Sequence, residues 1–254
     1  MKNLAASCAI AFSTYSRIPM PQVEWNEGNM RHTLAFFPLV VAAVGAGFWG
    51  VDALCRALAL GDVLRGALLA IVPVVITGGI HLDGYCDTVD ALASHAPREK
   101  KLAILTDSSA GAFAVIWCCV WFLLDFALLT ALESAATVAA CFLLSRSLSA
   151  LGIEHLPSAR AGMGADLKRG SRFPWWTLGV YLVLWAGAVW LWGRWVPGLA
   201  ALAAAVCVYL FYRRMALRVF GGFTGDLAGW FLQVCELSML AAAVLAERVV
   251  DLWF

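Results

Sequence analysis

Charged side chains are scarce in this sequence. Asp, Glu, Lys and Arg make up 14% of its 254 residues, where a soluble domain carries about 25%. Hydrophobic residues take their place at 62%, and the mean hydropathy is +0.81. That leaves too little polar surface for a water-soluble fold. An excess of one charge is missing too. The net charge is +1, without the dominant basic patch that a nucleic-acid surface needs. Paired cysteine spacing is absent: none of the eight cysteines forms a C-x-x-C pair. Most sit inside apolar runs and read as small hydrophobes, not as metal or redox centres. No internal repeat and no low-complexity tract is visible.

What is present is a series of long, continuously apolar runs. Without period-two alternation, and at about 20 residues each, they predict membrane-spanning helices. The expected spans are 34–58, 64–82, 112–132, 135–153, 174–193, 196–212 and 228–248. The expected fold is therefore all-α, a polytopic transmembrane bundle of about seven spans. It forms one integral membrane domain over 1–254, with 1–33 as an N-terminal interfacial segment. The connections near 60–63, 133–134 and 194–197 are short, which predicts antiparallel hairpins.

Basic residues give the orientation. Thirteen Lys and Arg residues fall on one side, four on the other, and Arg146 lies within a span. The richer side carries the N-terminus and the loops near 92–111, 155–173 and 213–227. These are expected in the cytoplasm of a prokaryote, below its inner membrane.

The most informative segment is GGIHLDGYCDTVDAL, residues 78–92. Asp83, Asp87 and Asp90 stand at i, i+4 and i+7 and share one helix face. No Lys or Arg lies between Arg65 and Arg98 to neutralise them. Carboxylates near membrane depth are costly, and commonly functional. A divalent cation is the simplest compensation, and an all-oxygen set suits Mg²⁺ or Mn²⁺. The alternative is a solvated acidic face where the helix leaves the bilayer. His81 lies about 200° from Asp83 on a continuous helix, so it points away unless Gly78 and Gly79 break the helix.

Three more segments reach the same side. LTDSSAGAFA (105–114) carries Asp107 and Ser108 at the mouth of a span. ARAGMGADLKRG (159–170) is Gly-rich, with Arg160, Lys168 and Arg169. GGFTGD (221–226) leads into the last span with Gly222, Thr224 and Asp226. Gly-rich turns can cradle phosphate with backbone N–H groups, and Arg or Lys adds charge. Carboxylates for metal beside cationic loops are the equipment for phosphoryl transfer, which is mainly positioning and charge stabilisation. Gln233 falls on nearly the same helical face as Asp226, while Asp125 and Glu236 lie deep in spans.

With those residues in view, the sequence resembles the cobalamin-5′-phosphate synthase family, also called adenosylcobinamide-GDP ribazoletransferase. The similarity covers nearly the whole chain. FSTYSRIPMP (12–21), the central H-x-D-G-x-x-D-T-x-D pattern, Ser145–Arg146, ARAGMG and GGFTGDLAG all stand in the family's order. Ser109, Ala91 and Gln233 depart from common family residues. The resemblance implies a Mg²⁺-dependent reaction of a corrinoid-GDP with α-ribazole or its 5′-phosphate, releasing GMP. It implies that Asp83, Asp87, Asp90 and Asp107 hold metal and do the chemistry. Substrate would then contact Ser108, Arg146, Arg160, Lys168, Arg169, Gly222, Thr224, Asp226 and Gln233. Membrane lipid is the expected surrounding and nucleic acid is not a partner. Two other readings stay open at this point: a CDP-alcohol-type membrane phosphotransferase, and an ion-coupled transporter using the intramembrane acids.

Overall fold

The computed structural model describes residues 2–132, 135–191 and 193–253. The chain is helical almost throughout. Its β-pairing among the described residues is one isolated parallel bridge between Ser158 and Phe223. A first helix, α1 (Lys2–Tyr15), packs under two one-turn helices, α2 (Glu27–Met30) and α3 (Thr33–Phe36). A short 3₁₀ turn at Phe37–Leu39 then feeds α4 (Val40–Ala57). The chain continues through α5 (Asp62–Thr77), α6 (Ile80–Ala93) and α7 (Arg98–Ile104). It returns through α8 (Ala112–Ala131), α9 (Ala135–His155), α10 (Met163–Gly170) and α11 (Trp175–Leu191). The last elements are α12 (Trp195–Met215), prolonged by a π-turn at Ala216–Phe220, and α13 (Gly225–Trp253).

Five helical segments are long and apolar enough to cross a membrane. Two bent pairs, α5 with α6 and α10 with α11, bring the total to seven if each is one span. The outer surface is apolar to match: Trp49 is 72% exposed, Leu123 65%, Val183 71% and Leu245 66%. Such exposure on four different helices is tolerable only in lipid. The bundle is thus a multi-pass membrane protein. The buried interior is built around α9 and α13, whose apolar windows are 78% and 72% buried.

One expected span is corrected. The run 64–82 is not a straight helix. It stops at Thr77, because Gly78 (φ +69) and Gly79 (φ +78) are both left-handed, a conformation that glycine adopts without penalty. The chain leaves at 94° as α6. Arg17 fixes the corner, its N–H donating to Ile76 O at 2.7 Å. The short connection expected at 133–134 lies outside the described residues.

Candidate functional site

The corner at Gly78–Gly79 turns α6 across one end of the bundle. There α6 seats on the N-terminal half of α13. The contact is backbone on backbone: a Cβ on Gly84 would stand 2.8 Å from Asp226 O, and one on Gly229 2.8 Å from His81 O. This lays the acidic face of α6 beside Asp226.

Around these two helices the four segments singled out in the sequence meet. Asp90 reaches α8, its carboxylate accepting from Gly111 N at 2.6 Å and Ala114 N at 2.9 Å. That caps the positive end of α8 from outside and fixes the 105–111 loop. The 157–160 loop is laced to 222–224, with Ala159 N donating to Phe223 O and Phe223 N to Pro157 O. Gly222 permits this, since a Cβ there would collide with Pro157 O. Arg160 spans the assembly: its Nη2 donates to Asp226 Oδ2 at 2.7 Å and to Leu105 O at 3.3 Å. Thr224 caps α13, its Oγ1 accepting from Leu227 N at 3.2 Å and donating to Asp226 Oδ2 at 3.2 Å.

The expected site residues therefore divide. Asp83, Asp87, Asp90, Arg160, Thr224 and Asp226 come together. Asp87 faces the charges of Asp83, Asp226 and Asp90, offset by Arg160. The carboxylates of Asp83 and Asp87 accept no hydrogen bond among the described residues. Asp107 and Ser108 sit exposed on the bordering loop. The Ser109 N–H, donating to Asp107 Oδ1 at 2.9 Å, holds the Asp107 carboxyl below the usual carboxylate range. Lys168 donates to Leu156 O and lies 5.8 Å from the Phe223 ring centre. Arg169 pairs with Asp166 on the surface.

Two residues expected to contact substrate lie in the interior. Arg146 is 1% exposed and its Nη1 pairs with Glu236 Oε1 at 2.5 Å, with Ser145 Oγ donating to the same oxygen at 2.7 Å. The anion it needs is thus supplied from within the bundle. Gln233 is likewise interior, 7% exposed on the wall of a small inner cavity with Asp125 and Glu236.

Sequence reasoning missed a cavity of about 300 Å³ beside the acids. Asp83 and Asp226 stand on its wall with Tyr15, Phe37, Ile153 and Phe223. A second cavity of about 160 Å³ is lined by Arg160, Thr224 and the 161–165 glycine loop, and shares Asp226 with the first. The lining of the larger one comes largely from segments the sequence singled out: FSTYSRIPMP contributes Thr14 and Tyr15, 78–92 contributes His81 and Asp83, and 221–226 contributes Phe223 and Asp226.

A family model described as cobalamin-5-phosphate synthase matches residues 7–244. The chain belongs to that family. A relative from Lachnoclostridium phytofermentans is 40% identical over 95% of this chain and 94% of its own length. One from Desulfitobacterium hafniense is 34% identical over 92% of this chain and 94% of its own. One from Listeria monocytogenes is 32% identical over 91% and 94%. All three are named adenosylcobinamide-GDP ribazoletransferase. No solved structure matches the chain. For a cobalamin-5-phosphate synthase, the residues to account for are those that meet around α6 and α13.

The chemistry of the donors fits a hard divalent ion. Asp83, Asp87 and Asp226 offer only carboxylate oxygens. Among the described residues, no three His, Cys, Asp or Glu side chains close on one point as a ready metal cage. Mg²⁺ seldom needs one: it commonly takes one or two carboxylates and completes its shell with water and substrate phosphate.

Proposed function

We propose that this chain is an adenosylcobinamide-GDP ribazoletransferase, with its site on the cytoplasmic face of the cell membrane. The observation that carries the reading is the set of partner-free carboxylates on α6, laid against the Arg160–Asp226 pair at two adjoining cavities. The relatives' activity, adenosylcobinamide-GDP ribazole transfer, supplies the substrates.

A ribose hydroxyl of α-ribazole, or of its 5′-phosphate, attacks the phosphorus on the aminopropanol arm of adenosylcobinamide-GDP. One P–O bond forms to the ribose. The P–O bond to the GMP oxygen breaks, and GMP leaves with its electron pair. The hydroxyl proton passes to a carboxylate oxygen of Asp87, the acid that faces the other three. Arg160 places a guanidinium where charge gathers on the departing phosphate. Its contact with Asp226 keeps it aimed before substrate arrives. Asp90 and Asp107 order the loop that borders this site. Asp83 and Asp226 would hold Mg²⁺, which supplies Lewis-acid neutralisation of the diphosphate oxygens.

The test is GMP release by purified protein in lipid, given adenosylcobinamide-GDP, α-ribazole and Mg²⁺. Release should require all three, stop with a chelator, and resume with Mg²⁺ or Mn²⁺. Turnover that survives full chelation would remove the metal from the reading, and no GMP under any condition would remove the reaction.

A further inference from the structure

We infer that the 300 Å³ cavity among α1, α6, α9, α10 and the start of α13 is the binding site for the base of α-ribazole, with its ribose toward Asp83 and Asp226. This rests on the transferase reading above and says where one of its two substrates goes.

The two substrates differ in chemistry, and so do the two cavities. The corrinoid-GDP brings an anionic diphosphate and a large macrocycle. α-Ribazole brings a flat, apolar bicyclic base on a ribose. No Lys or Arg lines the larger cavity, and two of its lining residues are acidic. The smaller cavity carries Arg160 and a glycine loop, which suits phosphate oxygens.

Size agrees. An apolar cavity of ~150 Å³ holds benzene, and a dimethylated benzimidazole has about twice as many heavy atoms. A space of about 300 Å³ accepts that base. A cobinamide, whose corrin ring and amide arms together hold roughly ten times the heavy atoms of benzene, is far beyond it on the same scale.

The walls suit an aromatic guest. Tyr15 and Phe37 lie with ring centres 4.1 Å apart, and His81 stacks 6.0 Å from Tyr15. Phe223 and Ile153 stand on the wall with them.

Unsatisfied polar atoms mark the same space. Ser149 lines it, is 1% exposed, and its Oγ has no hydrogen-bond partner among the described residues. His81 lines it at 5% exposure with an unpartnered Nε2, and Thr14 Oγ1 is also unpartnered. Buried polar groups left so are costly, and three around one apolar cavity point to a guest that satisfies them. The base has one unsubstituted ring nitrogen, an acceptor that the Ser149 hydroxyl can donate to. The ribose then lies toward Asp83 and Asp226, the acids that would hold the metal. That sets the sugar beside the carboxylates and next to the Arg160 cavity.

The experiment measures KM for each substrate separately in lipid-embedded protein. Ala228→Leu adds bulk to the cavity wall, and Ser149→Ala removes the hydroxyl while leaving the space. Ala228→Leu should raise KM for α-ribazole at least tenfold and leave that for adenosylcobinamide-GDP within about twofold. Ser149→Ala should raise KM for α-ribazole about fivefold, the scale of one neutral hydrogen bond. Should Ala228→Leu fail to insert, wild-type protein gives the same answer: a riboside whose base carries one more fused ring should be rejected. A shift confined to the corrinoid KM would overturn the inference while sparing the transferase reading. Unmoved constants with full acceptance of the larger base would overturn it too, assigning the cavity to a lipid chain. Wild-type protein that releases no GMP would instead remove the transferase reading, and this inference with it.

Discussion

Asp83, Asp87 and Asp90 lie on one face, yet their surroundings ask different things of them. Asp83 and Asp87 are free to bind, whereas both oxygens of Asp90 already accept backbone N–H groups. Asp83→Asn and Asp87→Asn should lower turnover a hundredfold or more and leave the amount of inserted protein unchanged. Asp90→Asn should lower it too, but by releasing the start of α8. Limited proteolysis within 105–111 should speed up in that variant alone, and equal cleavage in all three would refute the distinction. At Arg146 the outcome concerns stability. Removing one partner of a buried ion pair costs about 3–5 kcal/mol, while apolar replacement of both is often neutral. Arg146→Met and Glu236→Gln should each lower the melting temperature sharply, and Arg146→Met with Glu236→Leu should recover most of it. Weakened use of the corrinoid-GDP at unchanged stability would return Arg146 to the substrate. The sequence showed that a guanidinium at membrane depth needs an anion. It could not show which one, because Glu236 stands 90 residues away and the pairing exists only once α9 and α13 pack.

The acidic stripe could be read from its helical spacing, and the break at Gly78–Gly79 was foreseeable from two adjacent glycines. The direction of the turn was not. It depends on α13 offering a face that α6 can approach at backbone distance, through Gly84 and Gly229. Neither glycine stands out locally, since each matters only against the other helix. Gly84→Val should therefore act as a wedge between α6 and α13. Overpacking of this kind costs about 1–3 kcal/mol, and the displacement moves Asp83 and Asp87 away from Asp226. Turnover should fall more than tenfold with a lowered melting temperature. Gly179→Ala, in α11 where a Cβ meets nothing within 4 Å, serves as the control and should change neither. A Gly84→Val protein with normal turnover would show that the α6–α13 spacing is not what sets the site.

Length and composition alone leave the number of crossings between five and seven, because α5 and α11 are short. Their 16 and 17 residues reach ~24–26 Å at 1.5 Å per residue, below the ~30 Å of a hydrocarbon core. The contacts at the site favour the higher count. Residues 31–34 join the 171–172 turn, through Leu34 N to Ser171 Oγ at 2.8 Å and Arg172 N to Arg31 O at 3.0 Å. Residue 160 pairs with 226, and 84 abuts 226. The start of α4, the α6 corner, the end of α9 and the start of α13 thus share one end. Since α4 leaves that end, α5 must return to it. Since α12 arrives at it, α11 must have left it. With both bent pairs crossing, the expected count is seven. The shared end also carries Arg98, Lys101, Arg160, Lys168 and Arg218, so the positive-inside bias predicts that it faces the cytoplasm. Reporter fusions near residues 95, 165 and 218 should all read cytoplasmic, and fusions near 60 and 194 external. A matching signal at 165 and 194 would mean that α11 does not cross, and the pairing of Arg160 with Asp226 would then have to be abandoned along with the one-sided site.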